Sequence, residues 1–338
     1  MSQPFTAGFL YESAPFPSCH AATLVEVGDG LLASFFGGTH ERNPDVCIYT
    51  CRWVNGQWSA PQNVADGVQA DGSRQPTWNP VLFRPKGVKG GGPLMLFYKV
   101  GPNPREWWGE VKTSADDGHT WSKAERLPDG ILGPIKNKPI QLDDGTILSP
   151  TSIEGPEIGW RVYFERSEDG GKTWTKTPYV DQDADVKAIQ PSILVHSQTT
   201  LQAIGRTQKN KRLFSTWSHD AGRTWSKLEL IDLPNCNSGT DAITLHDGRH
   251  VLIYNHSDTE KVRYPLNVAV SPDGKVWDAV AVLEHEGPEQ YSYPCVIQMA
   301  DGRIEFAYTW KRLKMKHAEM DAANLPSLGR IEGGRWPG

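Results

Sequence analysis

The chain has 338 residues, a net charge of −5 and 22% charged residues, an ordinary size for one large domain or two smaller ones. The acidic balance argues against a nucleic-acid partner, because no basic field is present to release counterions. The opening Met1–Gly8 has neither a basic nor an apolar signal region, and no window approaches the roughly 20 apolar residues that span a bilayer, so the expected location is cytoplasmic with no membrane partner.

In chain order, Ala22–Phe36 reads as two apolar strands around Asp29-Gly30, followed by the polar segment Thr39–Asp45 and a worn hairpin at Asn55–Ser59. Pro80–Phe83 and Pro93–Tyr98 repeat the strand pair, and Pro139–Ser149, Pro191–Val195 with Leu201–Ile204, Asp241–Tyr254 and Pro294–Tyr308 repeat it again. Asp-Gly between apolar runs, at 29–30, 144–145, 247–248 and 301–302, is a strong hairpin signal.

A second motif follows several of these pairs. Ser114-Ala-Asp-Asp-Gly-His-Thr-Trp121 returns as Ser167–Trp174, as Ser218–Trp225, and in a shortened copy as Ser271–Trp277. Its Asp residues, 116, 169, 220 and 273, lie 53, 51 and 53 positions apart, a period of repeat architectures. Ser and Asp side chains bond backbone N–H groups a few residues on, Gly permits positive φ, and Thr-Trp re-enters a strand with an aromatic peg. The motif is therefore an outer hairpin that serves the fold.

Six four-stranded units of this length predict an all-β, six-bladed β-propeller, whose ring protects its strand edges. The expected domain spans 1–320, with the N-terminus around Ala7–Tyr11 supplying the outer strand of blade six and 321–338 an exposed tail. Five cysteines without a completing His or Cys pair read as buried free thiols rather than a metal site. No metal or organic cofactor is expected.

Long connections at His40–Asp45, Gly101–Gly109, Gly133–Pro139 and Glu286–Pro294 direct attention to one mouth of the channel. Thr39–Asp45 carries Glu41, Arg42 and Asp45; a carboxylate desolvated there would have a raised pKa and protonate a leaving oxygen, although a solvated loop accounts for the charges equally well. Lys99, Lys136, Lys138 and Arg206 adjoin inner strands, which points to a collective anion site with Arg206 suited to a carboxylate. Asn79 and Asp241 stand at inner-strand starts, where they bond hydroxyls or cap turns. Trp107-Trp108 is a stacking surface or simple packing.

With its Asp boxes, six units and length, the chain resembles the sialidase (neuraminidase) superfamily over roughly residues 18 to 317, and within it the "predicted neuraminidase" branch. The segments that carry the resemblance are Cys19–Thr23, Phe36–Val46, Trp78–Val81, Gly133–Pro139, Asn237–Asp241, Tyr291–Pro294 and Tyr308–Arg312. The resemblance implies an Asp acid/base, a Tyr nucleophile activated by a Glu, and three Arg that clamp a carboxylate. It places the acid/base on Asp45, the nucleophile on Tyr293 with Tyr291 as rival, and one clamp residue on Arg206. Three departures stand out: His20-Ala-Ala replaces Arg-Ile-Pro, Gln190 or its neighbour meets the activating Glu, and Thr309 follows Tyr308 in place of Glu. His20 is then a base, a proton donor or a hydrogen-bonding guide.

The leading expectation is a sialidase-like exo-glycosidase that acts on a terminal acidic sugar, with an anionic carbohydrate as partner. The alternatives are a lyase acting by β-elimination on a uronic-acid glycan, with His20 or Tyr293 as base, and a glycan-binding propeller without catalysis. Oligomeric state is left open.

Overall fold

The computed structural model describes residues 4–86, 92–155 and 157–337. Among them, antiparallel strands make six sheets of four or five strands. Blade one contains Ser18–Val27, Gly30–Gly38 and Cys47–Val54, with Gln57–Trp58 and Gln62–Ala65 on its outer side. Blade two contains Thr77–Phe83, Leu94–Val100, Trp108–Ser114 and Glu125–Arg126; blade three Ile140–Gln141, Ile147–Gly155, Gly159–Ser167 and Thr175–Lys176. Blade four contains Ala188–Val195, Leu201–Thr207, Arg212–Ser218 and Glu229–Pro234; blade five Asp241–Thr244, His250–Asn255, Leu266–Ser271 and Asp278–Glu284. Blade six is built from both ends of the chain: Tyr291–Gln298, Arg303–Trp310 and Lys314–Asp321 are completed by Thr6–Phe9, paired from Thr6↔Glu319 to Phe9↔Lys316.

The core consists of six apolar clusters, one in each interface between adjacent blades, so burial itself closes the ring. The interface between blades six and one takes in Leu10, Tyr11 and Phe16, which tie the N-terminal strand down. The five cysteines are all free and buried.

The repeated motif makes the predicted outer hairpin. Ser114 Oγ donates to Asp116 and accepts from the Gly118 N–H at 2.7 Å, while Asp116 accepts from the Thr120 N–H at 2.8 Å and its hydroxyl at 2.6 Å. Gly118 has φ +85° and would bring a Cβ within 2.6 Å of Leu32, so the turn needs glycine on both counts. Each motif Trp packs on the preceding blade: Trp174 lies edge-on to Phe97 at 6.1 Å, Trp225 stacks on Phe164 at 3.9 Å, and Trp277 joins Leu194 and Ile204.

The C-terminal segment departs from the expected exposed tail. Gly329–Arg330 pairs with Asp278 and Ala279 as a fifth strand of blade five, and Ile331 and Trp336 pack into the interface of blades four and five. Its glycines and charges hid two apolar anchors spaced too widely to read as a strand.

Candidate active site at the channel mouth

The innermost strands of blades one, two, four and six share a distortion at their first turn of chain. Register slips between His20 and Thr23, Trp78 and Val81, Ile189 and Ser192, and Ser292 and Cys295. At these bulges Ala21, Asn79, Gln190 and Tyr293 adopt φ of 63°, 39°, 55° and 51°. Left-handed φ at a non-glycine residue is costly, and bulges that re-aim side chains concentrate near functional sites. Three of the four bulged residues precede proline, Pro80, Pro191 and Pro294, which lacks the N–H a regular ladder would need.

Tyr293 is the centre of the mouth. Arg206 Nη2 donates to its hydroxyl at 3.0 Å, and the Arg206, Arg263 and Lys136 cations lie 5.3, 5.6 and 5.8 Å from its ring. Gly239 permits this crowding, since a Cβ there would stand 2.9 Å from Lys136 and 3.3 Å from Tyr293. On the other side the His20 ring packs at 4.1 Å between centroids. Tyr291 points elsewhere: it is wholly enclosed between blades five and six, and burial pushes its phenol up to about 12. The bulge at 292–295 breaks the alternation that would have put both tyrosines on one face.

His20 Nδ1 lies 2.8 Å from Thr309 Oγ1, while Nε2 is buried with no partner among the described residues. Burial, reinforced by Arg312, Arg263, Arg206 and Lys136, holds its pKa well below the ordinary value, so the imidazole is neutral at neutral pH. Thr309, the residue found where the resemblance implies a Glu, thus orients His20.

Two cations that the sequence did not single out complete the cluster. Arg263 stands in the connection between His250–Asn255 and Leu266–Ser271, and Arg312 follows Trp310 in a left-handed turn with φ 62°. Arg312 donates to Glu41 at 2.7 Å and to Gln290 at 2.6 Å. Burial pushes the Arg263 guanidinium down, opposed by Tyr293 and reinforced by Arg206 and Arg312. Arg263 Nη1, Arg206 Nε and the Gln190 Oε1 are sealed from solvent without a partner among the described residues. The connection between strands two and three of blade five, residues 256–265, is as long as those around Gly101–Gly109 and Glu286–Pro294, and its length is the sequence signal for Arg263.

Other predicted residues are placed away from the mouth or locked. Asp45 turns its carboxylate inward on its own loop, accepting from the Thr39 N–H at 3.1 Å and the Thr39 hydroxyl at 2.6 Å, so Glu41 is the carboxylate of this loop that reaches the cations. Lys99 is fully enclosed between blades two and three, donates to Pro134 O at 2.9 Å, and is pushed by burial down to about 7, with Glu165 opposing. Its strand position suggested the funnel, but the side chain alternates to the interface. Lys136 spends its three protons on Asn137, Thr240 O and Pro294 O, stitching blades three, five and six beneath Tyr293, and burial lowers it to about 8. Lys138 is paired with Asp241, which also accepts from Ser192 and the Val296 N–H. Gln190 and Asn79 sit on their bulges at the mouth; Asn79 has no protein partner for its amide among the described residues, and Arg42 is exposed. Trp107 packs edge-on against Trp78 at 5.8 Å, and Trp108 donates to Glu110 at 2.9 Å, so both belong to packing.

A cavity of about 550 Å³ opens at the opposite ends of the inner strands, lined by Glu26, Phe83, Lys138, Thr244, His246 and Gln298 among others. Its glutamines are engaged: Gln298 accepts from the His246 N–H and Gln198 from the Asp143 N–H. This cavity is therefore stitched between blades, whereas His20 Nε2, Arg206 Nε, Arg263 Nη1 and Gln190 Oε1, buried without a partner among the described residues, gather around Tyr293.

A six-bladed ring with repeated Ser–Asp hairpins is the fold this chain shares with solved sialidases. A solved protein of unknown function from Dyadobacter fermentans DSM 18053 superposes with a TM-score of 0.76 at 17% identity, covering 94% of this chain and 98% of that one. The Hadza microbial sialidase Hz136 superposes with a TM-score of 0.75 at 14% identity, over 91% of this chain and 66% of that one. A curated relative, a sialidase of Bacteroides fragilis (strain YCH46), is 24% identical over 256 residues, 63% of this chain and 45% of that protein, so the match spans less than half the relative's length. The family model described as a BNR repeat-like domain matches residues 29–306, and the chain belongs to that family.

Proposed function

We propose that the chain is an exo-acting glycosidase that releases a terminal acidic sugar at the Tyr293 mouth. One observation carries the reading: Arg206, Arg263 and Arg312 converge on a phenol and a neutral imidazole, with Arg206 Nε and Arg263 Nη1 buried and unpartnered. Buried donors without acceptors are expensive, and a sugar carboxylate supplies acceptors worth about 1.5–3 kcal/mol per charge-assisted bond. The sialidase relatives support the same substrate class.

In this mechanism the arginines fix the carboxylate and so orient the anomeric carbon over Tyr293. A phenol approaches a carbon beside a carboxylate with less repulsion than a second carboxylate would, a known variation on two-carboxylate glycosidases. Arg206, bonded to the hydroxyl, stabilises the phenolate. With His20 Nδ1–H donating to Thr309, the Nε2 lone pair is free to take the phenol proton, a role that suits an imidazole held neutral. Fluorogenic sialosides and uronosides test the reading: wild type turns one class over, and Tyr293→Phe lowers kcat at least about a hundredfold. Equal turnover by the two proteins would remove Tyr293 from the chemistry.

The neutral His20 beside a phenol whose hydroxyl is bonded by an arginine also favours a second reading, β-elimination on a uronic-acid glycan. There His20 or Tyr293 removes the proton next to the carboxylate and the arginines stabilise the enolate. Ultraviolet absorbance of an unsaturated product, present for the lyase and absent for the hydrolase, separates the two.

A further inference from the structure

A glycosidase needs a group that gives a proton to the departing oxygen, and Asp45 spends its carboxylate on Thr39. A different carboxylate reaches the mouth from blade three. Glu154 lies near the end of the strand Ile147–Gly155 and faces Trp160 across the hairpin. The Trp160 ring lies 5.2 Å from the Arg206 guanidinium, whose other side donates to Tyr293. Glu154, the cross-strand partner of Trp160, therefore stands beside the clamp. Glu41 flanks it too, but Glu41 is already the acceptor of Arg312 at 2.7 Å.

We propose that Glu154 is the catalytic acid/base of this site, giving its proton to the glycosidic oxygen; the inference rests on the glycosidase reading above. As the bond from the anomeric carbon to the leaving oxygen breaks, that oxygen keeps the electron pair and takes the Glu154 proton. Tyr293 oxygen bonds to the anomeric carbon, its own proton having passed to His20. Water then gives a proton to the Glu154 carboxylate and its oxygen displaces Tyr293, which recovers the proton from His20. The sum is hydrolysis, with every side chain returned to its starting state.

The groups around Glu154 prepare it for that task. Partial burial pushes its carboxyl above the ordinary range; Arg206 from blade four opposes this first, then the Trp160 indole and Arg105 from the blade-two loop, while Glu41 from blade one adds to the rise. A site that holds one carboxylate on a guanidinium and desolvates its neighbour separates an ionised partner from a proton donor.

Leaving-group dependence tests the assignment. The same acidic sugar is offered on a nitrophenol, which departs without help, and on a second sugar, which needs a proton. Wild type and Glu154→Gln are compared, with Glu41→Gln in parallel. The expected result is that Glu154→Gln loses about 10²–10⁴-fold in kcat/KM on the disaccharide and less than about tenfold on the aryl glycoside. Wild-type kcat/KM should also fall on the alkaline side as Glu154 loses its proton, and that limb should be missing from the variant. Equal losses on both substrates, an unchanged alkaline limb, or the leaving-group split appearing in Glu41→Gln instead would overturn it. Wild type that cleaves neither substrate would overturn the glycosidase reading as well, so the two failures are told apart by the unmutated protein.

Discussion

At the scale of single residues, the site depends on how four side chains are aimed rather than on which side chains the chain owns. Tyr293 and Tyr291 are two positions apart, yet a bulge sends one into the mouth and the other into an interface. No pattern of polarity announces a bulge, although the prolines after Asn79, Gln190 and Tyr293 mark where the ladder lacks a donor. The resemblance pointed to Tyr293, His20 and Gln190, while Arg206 was legible also from its place at the end of an inner strand. Arg263, Arg312 and Glu154 were not, because the two arginines lie in connections and Glu154 at a strand end whose course and facing only the closed ring determines. Lys99 was misread for the converse reason: its strand was evident but its facing was not. His20 also makes a prediction about stability. Unfolded, an imidazole titrates near about 6.5; folded, His20 titrates well below that. The unfolded chain then binds more protons once pH drops under about 6.5, so this residue makes stability fall on acidification until its folded pKa is passed. Denaturation from pH about 7 to about 5 should show a shallower decline in His20→Gln than in wild type, the difference approaching about 1.4 kcal/mol per pH unit. Parallel declines would mean that His20 is not held neutral.

At the scale of elements, the repeated hairpin holds blades together rather than doing chemistry. Its spacing was fully legible in the sequence, and so were the blade count and the Asn55-Gly56 turn, with φ of 52° and 80°. Its energetic content lies in the tryptophans, each seated on the blade before it. Trp277 is 3% exposed, and Trp277→Ala should cost about 3–5 kcal/mol in equilibrium unfolding, with kcat retained in whatever protein remains folded. A cost under about 1 kcal/mol would show that the peg does not join the blades. The hairpin carboxylates carry a pH signature. The Thr120 and Thr173 hydroxyls and N–H groups hold Asp116 and Asp169 below the usual carboxylate range. A depressed Asp stabilises the fold above its unfolded pKa of about 3.9 and loses that contribution as pH falls through its folded value. The double change Asp116→Asn and Asp169→Asn should therefore flatten the drop in Tm between pH about 4 and about 2, and an unaltered acid limb would contradict the assignment.

At the scale of the whole molecule, the site exists only in the closed ring. His20 comes from blade one, Arg206 from blade four, Arg263 from blade five, and Tyr293 and Arg312 from blade six. Closure depends on the N-terminal strand, with Leu10 wholly buried and Tyr11 packed between blades six and one. Removing residues 1–11 should lower Tm and weaken anion binding together, whereas ending the chain at residue 327 should lower Tm alone, since Gly329–Arg330 pairs with the outer strand of blade five and Ile331 and Trp336 pack in an apolar cluster that holds none of the mouth residues. Three arginines from three blades form the proposed carboxylate clamp, and calorimetry tests it most directly. Free sialic and uronic acids are titrated into the protein beside their methyl esters, at low salt, with wild type and Arg263→Met. The account predicts that one acid binds at least about tenfold more tightly than its ester, a difference of about 1.4 kcal/mol, and that Arg263→Met abolishes this preference. Equal affinity for acid and ester in the wild type would contradict it.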